Sequence, residues 1–393
     1  MDKTHQVQIM NNQMKVIPIY LPQFHQIPEN DEWWGKGFTE WVNIKAAKPL
    51  FPGHNQPRVP LDENYYDLSQ LETLKWQCKI AKEYGIYGFA MYHYWFNGHL
   101  LLEKPMEMLL AHPEIDTRYM ISWANHDWTD AWKAAQGKTR TLIFNDFDNE
   151  EDWVNHFYYF LPFFKDERYI KEDGMPLLII YVPQFIGKLN KMLDLWTEMA
   201  KANGIPGIKY IYQAAAASID KTWDRSRFTY GIQTNPQYAQ YASASAFSRF
   251  KTAIFTKYGR KIRNLLGIKG SLLPAESNLI IRDYDEDWEK VLRLKPDMEG
   301  SIPGAMTDWD NTPRMGTRGW CYRNASPDKF RKYFKMLLKK ARTEYRTDKV
   351  FVFAWNEWAE GGHLEPDMKN GYGYLEAIKA CLDEEALQTI DNI

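Results

Sequence analysis

The sequence predicts a (β/α)8 barrel with a helical insertion between strands six and seven. Eight short runs rich in β-branched and aromatic residues recur along the chain, separated by helix-like patterns. Most of these runs are continuously apolar rather than alternating, as strands covered on both faces must be. An open doubly wound sheet would use the same elements, but its mark is missing. No GxGxxG follows the first run, where the chain reads LPQFHQIPEND.

In chain order, the first strand is expected over Lys15 to Phe24 (KVIPIYLPQF), and a helix follows at 71 to 84. Strands two and three are read at Tyr87 to Trp95 and Arg118 to Trp123, followed by a helix at 150 to 166. Strand four (Pro176 to Val182, PLLIIYV) precedes a helix at 187 to 203, and strands five and six occupy Ile208 to Ala214 and Phe228 to Thr234. Strand seven is placed at Gly304 to Trp309 and strand eight at Lys349 to Trp355, with helices at 327 to 343 and 371 to 382. All 393 residues are expected to form a single barrel domain, since single barrels of this class often exceed the average domain length.

The interval 236 to 300 is too long for a connecting loop. Within it, SRFKTAIFTKYGRKIRNLLGIKG carries Arg249, Lys251, Lys257, Arg260, Lys261, Arg263 and Lys269 and no acidic residue. One reading of 249–269 is a basic lid that meets phosphates or an anionic membrane surface. The plainer reading is a helical excursion that packs its apolar residues, Phe250, Ile254 and Phe255 among them, on the barrel.

With 49 basic against 51 acidic residues the chain lacks the charge a phosphate-neutralising nucleic-acid protein needs, so no nucleic-acid partner is expected. Cys78, Cys321 and Cys381 form no CxxC pair and suggest neither a disulfide framework nor a zinc site. The stretch MDKTHQVQIMNNQMK has no apolar leader core, and no run approaches the roughly 20 apolar residues of a membrane span. These features predict a soluble, cytoplasmic protein.

Aromatic residues make up 15% of the chain, and many of its 16 Trp and 24 Tyr stand beside His, Asn, Gln, Asp or Glu. Trp and Tyr combine an apolar body with a polar handle, which suits wet amphipathic ligands such as sugars. Barrel enzymes gather their sites where strands end. Those ends supply Tyr20, Gln23 and His25 from strand one, Tyr92, His93 and Trp95 from strand two, and Asn125, Asp127 and Trp128 from strand three. Gln213, Asn235 and Asp308 come from strands five, six and seven, and Trp41 with Glu40 from the loop after strand one. All but Glu40 are candidate substrate contacts; Glu40 in GFTEW fits a cap or an ion pair equally well.

The densest signal follows strand eight, in WNEWAEGGHLEPD. Glu357 and Glu360 would diverge by about 10 Å in a continuing strand, but a turn before Gly361-Gly362 can bring both carboxyls toward one sugar ring. Two carboxyl groups roughly 5 to 9.5 Å apart are the recurring equipment of glycoside hydrolysis. Trp355, Asn356 and His363 surround the pair and complete the candidate site. His363, Glu365 and Asp367 alternate as ligands might, yet no cluster with diagnostic spacing joins them, so neither a metal nor another cofactor is expected.

Glu357-Trp358-Ala359-Glu360-Gly361 resembles the Glu-Trp-His-Glu-Gly motif of glycoside hydrolase family 99, the endo-acting α-mannosidases and α-mannanases. YLPQFHQIPENDEWWGKGFTEW, KPLFPGHNQPRVP, GFAMYHYWFNG and WNEWAEGGHLEPD are similar to signatures of the family-99-like proteins called WbsX-like, of bacterial polysaccharide and O-antigen biosynthesis. The resemblance runs from Tyr20 to Tyr374 and implies a (β/α)8 barrel. It further implies that Glu357 assists the substrate's own 2-hydroxyl in attacking the anomeric carbon, with retention through an epoxide-like intermediate, and that Glu360 is general acid and then base. Two departures stand out. Ala359 replaces the motif histidine, and SWANHDWTDAW replaces a typical Asn-Glu-Asn-Trp-Thr-Arg-Arg, so the sugar or its linkage is expected to differ.

Three functions compete: a retaining hydrolase acting within an oligosaccharide or polysaccharide, a glycosyltransferase of surface-polysaccharide assembly, and a non-catalytic glycan-binding barrel. The glutamate pair favours the first. The basic insertion and an unexported location favour the second, although no phosphate-cradling glycine loop is present and Asp308-Trp309-Asp310 is as readily a strand end as a metal motif. A binding barrel would need neither glutamate.

Overall fold

The computed structural model describes residues 13–130, 140–214, 223–244 and 279–390. Eight parallel strands close on themselves: β1 (Lys15–Tyr20), β2 (Gly88–Phe96), β3 (Arg118–Trp123), β4 (Met175–Ile180), β5 (Lys209–Ala214), β6 (Phe228–Gln233), β7 (Ser301–Met306) and β8 (Lys349–Phe353). Each pairs with its sequence neighbours, and the β1–β8 and β1–β2 ladders seal the ring. This is the predicted barrel. Its strands are covered inside and out, and β4 shows the consequence, with Pro176 to Ile180 all buried.

Helices of matching apolar periodicity coat the strands. In α6 (Leu189–Ala202) the buried face is Leu189, Met192, Leu193, Trp196 and Ala200, and the Trp196 indole donates to the Trp153 carbonyl of α5 (Glu150–Lys165) at 2.8 Å. Pro327 opens α10 (Pro327–Lys340) behind a Ser326 cap that accepts from Lys329 N. That helix packs along α11 (Gly373–Ile390).

Several boundaries move from their expected places, β7 ending at Met306 rather than Trp309 and β8 at Phe353 rather than Trp355 among them. β1 stops at Tyr20 rather than Phe24, because Leu21 leaves the ladder and is bonded instead by the Asn356 side chain. β7 begins at Ser301 rather than Gly304. Pro303 lies inside the strand, where a parallel ladder with β6 accommodates it opposite Gln233. Gly304 then lies so close to β6 that a Cβ would stand 2.3 Å from the Gln233 carbonyl oxygen. The C-terminal helix runs on to Ile390.

Of the 236–300 interval the structure describes α7 (Gln237–Ser243), a strand at Ile280–Asp283 paired with Trp320–Arg323, and α8 (Tyr284–Arg293). The basic run 249–269 lies outside the described residues. Among the described residues no helix is long and apolar enough to cross a membrane.

At the C-terminal rim, three asparagines do the work of missing ladder bonds. Asn125 accepts from Val182 N at 2.8 Å and donates to Val182 O at 2.9 Å, tying the end of β3 to that of β4. Asn356 clasps Leu21 in the same way across β8 and β1, while Asn235 donates to Gly304 O and accepts from Ala239 N. Each amide is at most 1% exposed. Removing one orphans buried backbone groups, so Asn125→Ala should lower unfolding free energy by roughly 2 to 5 kcal/mol in urea titration. A loss below about 1 kcal/mol would show that the strand ends re-pair without the amide.

Candidate active site

Three strand exits build the site. After β8, Trp355 is pinned by donating its backbone N–H to Ile19 O at 2.7 Å, and Asn356–Glu357 then pairs antiparallel with Gly362–His363. Between them the 3₁₀ turn Trp358–Glu360 reverses the chain and closes through Gly361 at φ +70°. A Cβ on Gly361 would lie 2.9 Å from the Arg58 guanidinium and from Asp310 N, so both the backbone sign and the space require glycine. The turn swings Glu357 and Glu360 to one side, where Glu360 N donates to Glu357 Oε1 at 3.2 Å.

The exit of β7 supplies the counter-charge. The short helix α9 (Thr312–Met315) carries Arg314, whose Nη1 bonds Glu360 Oε1 at 3.1 Å and whose Nη2 lies 3.2 Å from Glu357 Oε1. From the loop beyond β1, Glu40 grips the same guanidinium from Nε (3.3 Å) and Nη2 (3.2 Å). Gln23 accepts from Nη2 at 3.4 Å and donates to the Tyr94 hydroxyl at 3.1 Å. Three carboxyl groups therefore share one guanidinium, all 8% or less exposed except Glu360, which faces the cleft.

That cleft has a volume of about 360 Å³, within the range of small-molecule sites. Trp34, Phe38, Trp128 and Met315 give it an apolar wall, and Glu40, Asp127, Glu360 and Arg314 a charged one. Burial raises both the Glu357 and Glu360 carboxyls above the ordinary range. The Arg314 charge opposes this, and the neighbouring carboxyls reinforce it. Glu360 also raises the phenols of Tyr92 and Tyr181, which burial has already pushed up, placing both rings near its carboxyl.

The predicted site residues divide into two sets. Gln23, Asp127, Trp128 and Glu360 line the cleft, and Glu357 joins them through Arg314. Tyr92 and Gln213, bonded to each other at 3.3 Å, are tied to this side by the influence of Glu360 on Tyr92. The structure does not bring the others to the cleft wall, because neighbouring elements already engage them. The Tyr20 hydroxyl donates to Gln77 under α3 (Leu71–Glu83), and His25 is 1% exposed. Trp41 donates to Tyr66 O, and Trp355 lies buried against Phe89. His93 and Trp95 face α5, where His93 meets His156 at 2.9 Å and Trp95 donates to Asp152. Asn125, Asn235 and Asn356 hold the rim, and Asp308 pairs with Arg58 at 2.7 Å. His363 stacks on Trp358 at 3.8 Å and bonds Asp367.

Sequence reasoning missed Arg314. It stands alone in NTPRMG, without periodicity or a motif partner, and only the fold reveals its three carboxyls. Glu40 proves to be the ion pair that its sequence allowed. Beneath the turn, Glu365 accepts from Gln77, Tyr66 and Trp358 at 2.6 to 2.7 Å, and burial still pushes its carboxyl up to about 7 against these bonds.

His54, Asp310 and Cys321 are close enough together to be weighed as metal ligands. The donor set argues otherwise. His54 Nδ1 accepts from Leu50 N at 3.0 Å, which leaves the ring proton on Nε2, where it donates to Asp310 at 2.8 Å. Burial also keeps Cys321 a thiol, pushed up to about 12.

The chain is 12% identical to a glycoside hydrolase family 99 endo-α-mannosidase from Bacteroides thetaiotaomicron, with a TM-score of 0.52 over 96% of this chain and 98% of that one. A glycoside hydrolase-like protein aligns with a TM-score of 0.54 at 12% identity, over 95% and 94% of the two chains. At such identity these likenesses establish the fold alone. Two proteins of Xanthomonas campestris pv. campestris, both named uncharacterized protein WxcX, are 32% and 31% identical over 378 residues, 93% of this chain. The chain spans about half the length of these relatives, 49% of each. The family model described as glycosyltransferase WbsX matches residues 16–378, and the chain belongs to that family.

Proposed function

We propose that the chain is a retaining glycoside hydrolase that acts within an oligosaccharide or polysaccharide of α-mannosyl or related type, with Glu357 and Glu360 as its reacting carboxyls. The observation that carries this reading is the shared guanidinium: both carboxyls reach Arg314 within 3.3 Å at the edge of a cleft with an aromatic wall. Two carboxyls held side by side at one cleft edge are what a mechanism with a carboxyl pair flanking one glycosidic bond requires.

In this reading Glu357 takes the proton of the sugar's 2-hydroxyl as that oxygen bonds to the anomeric carbon. The leaving glycosidic oxygen receives the proton of Glu360 as its bond to that carbon breaks. Water then gives its proton to Glu360 and opens the three-membered ring at the anomeric carbon, and Glu357 returns the proton to O2. The second displacement restores the original configuration.

The family description favours a second reading, a glycosyltransferase of cell-surface polysaccharide assembly. A panel of α-mannosyl and other bacterial polysaccharides, incubated with and without nucleotide sugars and read by product mass, separates the two. Shortened products without nucleotide sugar are expected; growth that depends on an activated donor would establish the transferase instead. No change in any glycan, together with saturable glycan binding, would leave a binding barrel.

Glu357→Gln and Glu360→Gln should each lower turnover at least about 1000-fold. Neither should lower Tm at neutral pH. The folded protein holds its protons on these raised carboxyls more tightly than the unfolded chain does, so their ionisation costs stability as pH rises above about 4.3, the unfolded value. Wild type should therefore lose stability relative to Glu357→Gln between about pH 4 and about pH 8, the value to which burial raises Glu357, with the difference vanishing below that window. A wild type that gains on the variant as pH rises would mean that the pair is stabilised as anions.

A further inference from the structure

The proposed chemistry requires two neighbouring glutamates to do different work, and this inference rests on that reading. The motif KPLFPGHNQPRVP takes no part in the cleft wall, but its side chains converge on the exit of β7. His54 Nε2 and Gln56 Nε2 both donate to Asp310 Oδ2, at 2.8 and 2.7 Å. The other oxygen accepts from Thr312 N at 3.0 Å and Thr312 Oγ1 at 2.6 Å. Burial would raise the Asp310 carboxyl, yet these donors and Arg58 hold it down to about 2, so it stays an anion and a constant acceptor. Thr312 opens the turn that carries Arg314.

Glu40 completes the aim. Its two oxygens take Nε and Nη2 in a side-on fork, which fixes the plane of the guanidinium. Nη1 is left for Glu360, and Nη2 also reaches both oxygens of Glu357, at 3.2 and 3.3 Å. The two glutamates are thus met differently. Glu357 faces donors, Arg314 Nη2 and Glu360 N, and these bonds favour its anion against the burial that pushes its carboxyl up to about 8. Glu360 is bonded to Arg314 through Oε1 alone and lines the cleft, so its second oxygen can carry a proton toward a glycosidic oxygen.

We propose that Arg314, aimed by the Glu40 fork and the Asp310 clamp, is the group that makes Glu357 the base and leaves Glu360 the acid. Arg314 touches the reacting carboxyls and is a catalytic residue in this sense; Asp310 is a positioning residue. The other titratable groups facing the pair are Glu40, Tyr92, Tyr94 and Tyr181, with His126 and Asp127 on the cleft wall.

The test titrates the carboxyl carbons of the full chain labelled with [13C]glutamate, with Glu357 and Glu360 signals assigned through the two Gln variants. Wild type should show two transitions more than about one pH unit apart, the lower belonging to Glu357. Arg314→Met should raise both and shrink their separation to less than half, and Arg314→Lys, which keeps the charge but not the fork, should restore only part of it. Asp310→Asn should shift the pair in the same direction as Arg314→Met but less, with a native circular dichroism spectrum. If that variant fails to fold, Thr312→Ser and Thr312→Ala serve instead: serine should retain the wild-type titration, and alanine should shift it. An unchanged separation in Arg314→Met, or a lower transition belonging to Glu360, would overturn the proposal. The glycan panel reads the hydrolase itself, so its failure beside an altered titration would remove that reading while leaving the role of Arg314 in ionisation standing.

Discussion

The arrangement on which the rest of the site depends is one guanidinium held among three carboxyl groups. A buried carboxylate without a partner costs several kcal/mol, and two beside each other are worse. The turn after β8 places Glu357 and Glu360 three residues apart on one side, an arrangement the fold tolerates only because Arg314 arrives from β7 and Glu40 from beyond β1. The site therefore exists only where the last, seventh and first exits are adjacent, which closure of the ring through the β1–β8 ladder provides. One positive charge cannot neutralise three negative ones. The surplus, together with burial, is the physical reason the pair retains protons at pH values where exposed carboxyls have lost theirs.

Everything beneath the pair serves to hold that geometry. Glu365 draws Trp358, Tyr66 and Gln77 onto one carboxyl under the turn, and Arg58 donates to Gly361 O at 3.3 Å while pairing with Asp308. His54 and Gln56 hold Asp310, whose N–H donates to Glu360 O at 2.7 Å. Buried polar groups bonded to one another in this way make a rigid network, because moving one member strands another. The reacting groups are thus carried on a short turn with little freedom, as catalysis by positioned carboxyls requires.

The barrel was legible because strands buried on both faces leave a strong mark: the run now called β4 is apolar from end to end, and those called β3 and β8 are nearly so beyond their first residues, Arg118 and Lys349. Boundaries at Tyr20 and Ser301 were less so, since they depend on which groups take over the ladder's hydrogen bonds, in one case a side chain 335 residues away. The glutamate pair was legible for a similar reason. Local spacing and two glycines imply a turn without reference to the rest of the chain. Arg314 and the Asp310 clamp depend on contacts across some 250 residues, and a single sequence does not display them. Strand-end asparagines read as ligand groups for want of the same information: an amide suited to a sugar hydroxyl is equally suited to a neighbouring strand's backbone.

The same accounting of partners bears on the choice between the two carbohydrate chemistries. A transferase that uses a nucleotide diphosphate donor must neutralise phosphates at its reacting centre, and a guanidinium is well suited to that task. Among the described residues of this cleft wall the cation is Arg314, and its Nε, Nη1 and Nη2 are already bonded to Glu40, Glu357 and Glu360. To clamp a diphosphate it would have to abandon three carboxyls, two of them buried, each left without its charge partner, and the incoming anion would meet Glu40, Asp127 and Glu360 on the same wall. An uncharged glycan asks for neither change. It can lie against Trp34 and Trp128 and present its glycosidic oxygen to Glu360 while the guanidinium stays in place, so the electrostatics of the described site favour the hydrolase reading over the family's transferase label.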